Sequence, residues 1–124
     1  MVNYTSNVFE QLVEFVSAYQ ESEIQRANTW LNDRFMHVYV RKSQRLLFKG
    51  EGLITTLDIA AVGVYEEFRG QGRFKQFLEY AHSINPWAAT YIECVNSQVL
   101  RDFLIREKWE YAPAMFCFFK CRYN

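Results

Sequence analysis

The segment that does most to determine the architecture of this 124-residue chain is a strand-like run that passes through glycines directly into a helix. Residues 53–64 are long, apolar and β-prone, with Gly63 inside. A glycine within a strand marks a bulge or a close approach to the backbone. The polar stretch Tyr65–Gly72 follows. From Phe74 to Ile84 the apolar positions Phe74, Phe77, Leu78, Ala81 and Ile84 return to helical spacing, which Asn85 and Pro86 end. At a helix N-terminus the first backbone N–H groups lack intrahelical partners, and the dipole favours an anion. Gly70 and Gly72 let the chain wrap closely, and Arg69 and Arg73 add forked cationic donors. The junction reads as a phosphate cradle or as a plain two-glycine turn. No Gly-Lys-Ser/Thr follows, so it is not a P-loop. Gly70 and Gly72 lack the third glycine of a dinucleotide-binding G-x-G-x-x-G.

The flanking chain reads as α+β. Val8, Phe9, Leu12, Val13, Phe15, Val16 and Tyr19 form a helical stripe over residues 7–20. Ser22 and Gln25 have capping-box spacing and predict a second short helix through Ile24, Ala27, Trp30 and Leu31. Residues 35–42 alternate as a strand, Ser43-Gln44 is a plausible turn, and residues 45–50 would return as a second strand. With 53–64 these make three antiparallel strands. After the 74–84 helix come a strand at 90–95, a helix at 97–108, a strand start at 109–111 and a last strand at 115–123. A helical crossover normally joins parallel strands, so the expected sheet is mixed. No repeat or linker interrupts residues 1–124, which read as one domain.

Composition excludes more than it proposes. Fourteen Lys and Arg balance fourteen Asp and Glu, which argues against a nucleic-acid binder acting by bulk charge. The same neutrality leaves little repulsion between identical chains, so a homodimer stays open. The two histidines, His37 and His82, lie far in sequence from Cys94, Cys117 and Cys121, and no Cys-x-x-Cys occurs; no metal site is expected. The N-terminus lacks the pattern of a signal peptide, and no apolar stretch approaches the ~20 residues of a membrane span. A reduced, cytoplasmic protein is the expectation.

The order of elements and the motifs within it resemble the GNAT superfamily of acyl-CoA-dependent N-acyltransferases over residues 35–124. The family signature Q/R-x-x-G-x-G/A appears as Arg69-Gly70-Gln71-Gly72-Arg73-Phe74, and its later pattern as Asn96, Phe103 and Lys108-Trp109. The resemblance implies a GNAT-like mixed sheet whose strand before the loop splays from the next parallel strand, with acetyl-CoA in the resulting V. It assigns backbone groups of Val62 and Val64 to the pantetheine arm. It assigns the amides from Gly70 through Gln71, Gly72, Arg73 and Phe74 to Lys75 to the pyrophosphate, and places Asn96 and Phe103 beside the cofactor. The implied reaction moves an acetyl group to a primary amine, using a base and stabilisation of the developing oxyanion.

Three departures from the family pattern bear on chemistry. Phe74 replaces a small residue and must turn towards the core to leave the anion site open. Phe103 stands where many members carry a tyrosine acid; Tyr91 and Tyr111 are the remaining candidates. Ala60 and Ala61 occupy positions where some members place a carboxylate, leaving Glu93 as the better base candidate and Asp58 as the weaker. These departures keep two alternatives open: a non-catalytic module that binds CoA or a protein partner, and a transferase using a different activated donor.

Overall fold

The computed structural model describes residues 6–47, 51–93, 95, 97–112 and 116–122. Helix α1 (Val8–Tyr19) starts where Asn7 Oδ1 accepts from the Glu10 N–H at 2.9 Å. Val8, Leu12, Phe15 and Val16 are its buried face, at the i, i+4, i+7, i+8 spacing of an amphipathic helix. Asp33 secures the same end from a distance. Its Oδ2 accepts from the Val8 N–H at 3.0 Å, while Oδ1 accepts from the N–H groups of Phe35 and Met36. One buried carboxylate therefore caps a helix and closes the adjoining turn.

The expected second helix is instead a strand, β1 (Ala27–Asn32), paired antiparallel with β2 (Met36–Arg45). Two contacts explain the difference. The Ser22 hydroxyl accepts from the Ile24 N–H, two residues on, which makes a turn rather than a capping box. Lys42 Nζ donates to the carbonyls of Tyr19, Ser22 and Ile24 at 2.8, 3.3 and 2.8 Å, diverting oxygens that a helix would use. The spacing of Ala27, Trp30 and Leu31 fits a helix, yet Leu31 points into the core and Trp30 outwards, as in a strand.

A second correction concerns the antiparallel strands. No turn forms at Ser43-Gln44, because β2 continues through both to Arg45. The strand that returns is β3 (Ile54–Val64), not residues 45–50, of which 48–50 lie outside the described residues. The antiparallel trio is thus β1, β2 and β3. Its register pairs Arg45 with Ile54 and Met36 with Val64, and it shifts between Tyr39 and Val40, where Ala60 is the extra residue of a bulge.

A short 3-10 turn (Glu66–Phe68) leads into helix α2 (Arg73–Ile84), then β4 (Ala89–Ile92), helix α3 (Gln98–Arg106), β5 (Glu110–Tyr111) and β6 (Phe118–Cys121). The six-stranded sheet has the order β1-β2-β3-β4-β6-β5, with β3 and β4 parallel and the other pairs antiparallel. This is the expected mixed α+β architecture. Buried residues of all three helices join Leu31, Met36, Val38, Val40, Leu57, Ile59, Ile92 and Phe118 in one core on one face of the sheet. On the opposite face Tyr91, Cys117 and Phe119 form a smaller cluster. Consecutive Phe118 and Phe119 therefore bury into different layers, which accounts for the apolar run on β6. Among the described residues no helix is long and apolar enough to cross a membrane.

Candidate functional site

The sheet splits where β3 bulges. Strands β3 and β4 pair from Thr56–Ala89 to Ile59–Ile92, and the Glu93 N–H still reaches the Ile59 carbonyl at 3.1 Å. Beyond that point the chain after β4 turns away, and the Val95 N–H bonds the Phe116 carbonyl on the β6 side. Among the described residues this end of β3 keeps only β2 as a strand partner. Tyr65 N–H bonds the Phe35 carbonyl, so by alternation Ala61, Gly63 and Tyr65 direct their main chain at β2. The main-chain groups of Val62 and Val64 point the other way, into the split. Arg69 Nε takes the Val64 carbonyl at 2.8 Å, leaving the Val64 N–H and both Val62 groups on that edge.

Two adjoining cavities occupy the split. One, of about 360 Å³, runs from Glu93 and Ile92 past Ala61 and Val62 to Phe74 and Leu100. The next, of about 480 Å³, continues past Val64, Arg69, Gly70, Gly72, Arg73 and Lys75. Phe74, Ser97 and Leu100 line both, so they form a single groove. Gly70 and Gly72 adopt φ of +78° and +74°, which L-residues rarely take, and nothing lies within 4 Å of where a Cβ would stand. Gly72 is the N-cap of α2 and caps it with no side chain, so the first N–H groups of the helix face the groove. Phe74 turns towards the core, as its size requires, while its edge lines the groove.

The arginines of the loop are held in place. Arg73 lies 3.7 Å over the Phe35 ring and its Nε reaches Gln71 Oε1 at 3.2 Å. Phe68 packs edge-on against Phe35. Gly63 is required for another reason: a Cβ there would stand 2.4 Å from the His37 ring opposite it on β2.

Other candidates fall differently. Phe103 does not line the groove. It is buried in the core under the Lys75 ammonium and beside a separate cavity of about 180 Å³ with Leu78, His82 and Trp109. Asn96 and Cys94 lie outside the described residues. Tyr91 is buried on the opposite sheet face, and burial, then its hydrogen bond with Cys117, pushes its hydroxyl up to about 12. Tyr111 sits on β5, two strands beyond β4. Neither tyrosine stands in for a missing acid at the groove. His82 Nδ1 lies 2.8 Å from Thr90 Oγ1.

Glu93 and Asp58 come together, joined by two arginines that sequence reasoning missed. Glu93 follows β4 rather than lying within it. Asp58 is fully buried and takes a forked pair from Arg45, with Nε at 3.2 Å and Nη2 at 2.7 Å, and a 2.7 Å bond from Thr56 Oγ1. Arg45 Nη2 also reaches Glu93 Oε1 at 2.7 Å, and Arg41 pairs with both carboxylates. Burial pulls the Arg45 guanidinium down, but its hydrogen bond and charge pairing with Asp58 outweigh this and hold it above its ordinary value. Arg45 also stacks 3.8 Å over Tyr91. The alternation of β2 was the available signal, since it places Arg41 and Arg45 on the face of Asp58. Among the described residues no group of histidines, cysteines and carboxylates could hold a metal ion.

No protein-family model matches the sequence, and no curated protein matches it significantly. Solved structures do match. One is a mutant of the toxin AtaT bound to the C-terminus of the antitoxin AtaR and acetyl-CoA, with a TM-score of 0.56 and 10% identity. The match covers 71% of this chain and 59% of that one, so the chain spans well under two thirds of it. Another is the KacTA–DNA complex, with a TM-score of 0.56, 12% identity and coverage of 91% of this chain and 80% of that one. At such identity the likeness defines the fold, which is GNAT-like.

Proposed function

We propose that the protein is an acetyl-CoA-dependent N-acyltransferase acting on a primary amine. One observation carries this reading: a free strand edge at Val62 and Val64 opens into a single groove that ends at the uncapped, glycine-flanked N-terminus of α2. The residues present fit acetyl-CoA. The β3 edge suits an amide-bearing arm, and the open space over Gly70 and Gly72 suits a pyrophosphate. The acetyl-CoA in the AtaT structure supports the same ligand.

Bound acetyl-CoA supplies a thioester carbonyl that an amine can attack. The chain's own contributions follow from position. The Val62 N–H is a fixed donor at the split, placed to bond the oxygen that gains charge. The helix-end amides from Gly70 to Lys75 position the donor. Glu93, just past β4, lines the groove and would offer a carboxylate for the acceptor ammonium.

Calorimetric titration with acetyl-CoA, followed by a scan of amines for thiol release, tests the reading. Saturable binding and amine-dependent release are expected; no binding at millimolar acetyl-CoA sinks it. The pairing of Glu93 Oε1 with two arginines, together with a phenylalanine at position 103, favours one second reading, a module that binds without transferring. Binding with no release across amine classes selects that module.

A further inference from the structure

A second groove meets the first at Glu93. It has a volume of about 340 Å³ and is lined by Arg26, Asn28, Arg41, Ser43, Arg45 and Glu93, among others. It lies on the sheet face opposite the helices, because Asn28, Arg41 and Asp58 are cross-strand partners on that face. Glu93 lines both grooves, so the split between β3 and β4 connects the helix side of the sheet to this arginine-rich side.

The charges here are unequal in permanence. Asp58 is fully buried and tied to Arg45 and Thr56, so it matches one guanidinium for good. The second guanidinium, Arg41, stands farther from Asp58, at 3.5 Å, and pairs closely with Glu93, whose side chain is 24% exposed and sits in non-strand backbone after β4. Arg41 Nε is buried and has no hydrogen-bond partner, so this guanidinium is short of an acceptor. Arg26, exposed at the groove's rim, adds a further cation. A carboxylate entering the groove can take the Arg41 and Arg45 forks now engaged by Glu93, and it can satisfy Arg41. Glu93, displaced, then faces whatever cation the same ligand carries.

We propose that this groove binds a zwitterion of the α-amino acid type, with its carboxylate on Arg41 and Arg45 and its ammonium on Glu93. Under the acyltransfer reading, on which the acceptor role rests, that ammonium stands at the mouth of the donor groove. The acceptor class is then a small amino acid rather than a polyamine, whose cations the arginines repel.

Calorimetry on the protein without acetyl-CoA tests the site, using L-alanine, ethylamine and propionate as probes. Alanine is expected to bind about tenfold or more tightly than either one-ended analogue. Arg41→Gln should weaken alanine binding by about tenfold, and Arg26→Gln by about two- to threefold, with acetyl-CoA affinity unchanged in both. Glu93→Gln should raise propionate affinity, because the arginines lose their internal partner, and should abolish alanine's advantage over propionate. A role for Glu93 in folding alone predicts neither change. Ethylamine binding as well as alanine, or no alanine binding at about 10 mM, overturns the proposal. If Arg41→Gln fails to fold, the Glu93→Gln and Arg26→Gln results decide. Alanine binding without acetyl-CoA binding would sink the acyltransfer reading and leave this site standing; the reverse would sink only the site.

Discussion

Gly63 shows how one missing side chain can set a local structure. The His37 ring occupies the space its Cβ would need, across an antiparallel pair next to the split. Gly63→Ala should lower stability by about 1–3 kcal/mol, through crowding of a packed ring. Pairing it with His37→Ala should recover most of the loss in urea denaturation, because the clash needs both partners. Asp58 presents the opposite case, a buried charge whose partners are all identified. Asp58→Ala leaves Arg45 without its forked acceptor and should cost about 3 kcal/mol in the same measurement. Asp58 reads in the sequence as the weaker base candidate, with a turn-side salt bridge as the simpler explanation. Its partners are invisible there because Arg41 and Arg45 lie seventeen and thirteen residues away and meet it only through strand register.

At the scale of elements, the strand–loop–helix junction from Val62 to Ile84 was legible, and so were α1 and α3. Each is specified locally, by a run of apolar spacing with a capping residue or glycine at its end. Asn7 caps α1 and Ser97 caps α3, each through its own side-chain oxygen. The segment from Ser22 to Leu31 was not legible. Its apolar spacing fits a helix, and only pairing with β2 and the reach of Lys42 make it turn and strand. The loop before α2 yields a graded prediction. Gly72→Ala should cost about 1–2 kcal/mol from its left-handed φ alone, since nothing stands near the added methyl. Gly72→Trp should fill the groove and abolish acetyl-CoA binding while the far-ultraviolet circular dichroism stays native. Unimpaired binding by the Trp variant would remove this loop from the cofactor site.

The whole molecule carries grooves on both faces of one sheet. Helices cover one face, and Glu93, just past β4, lines a groove on each side. Neutral overall charge is the sum of local imbalances: Arg69, Arg73 and Lys75 line one groove, and Arg26, Arg41 and Arg45 another. Global stability carries one pH signature from a site away from both grooves. Burial, helped by Lys120, lowers the His82 imidazole below its ordinary value of 6.5. The unfolded chain therefore takes up that proton first as pH falls. The stability His82 contributes is complete above about pH 6.5 and declines below it. Replacing His82 with Gln should flatten the fall in melting temperature as pH drops below about 6.5. An equal fall in the variant would show that other groups carry it.

What the sequence determined alone is whatever a single stretch of chain can encode: three helices with their caps, a glycine loop at a helix start, and a mixed sheet from the order of elements. The GNAT-like resemblance followed from that order. Tertiary structure decided the rest. It turned a helical pattern into β1, placed Phe103 in the core rather than along the groove at α2, and joined Glu93 and Asp58 through two arginines. The physical reason is shared. Local spacing sets which side chains can share a face, whereas strand register and burial between distant segments set which of them touch.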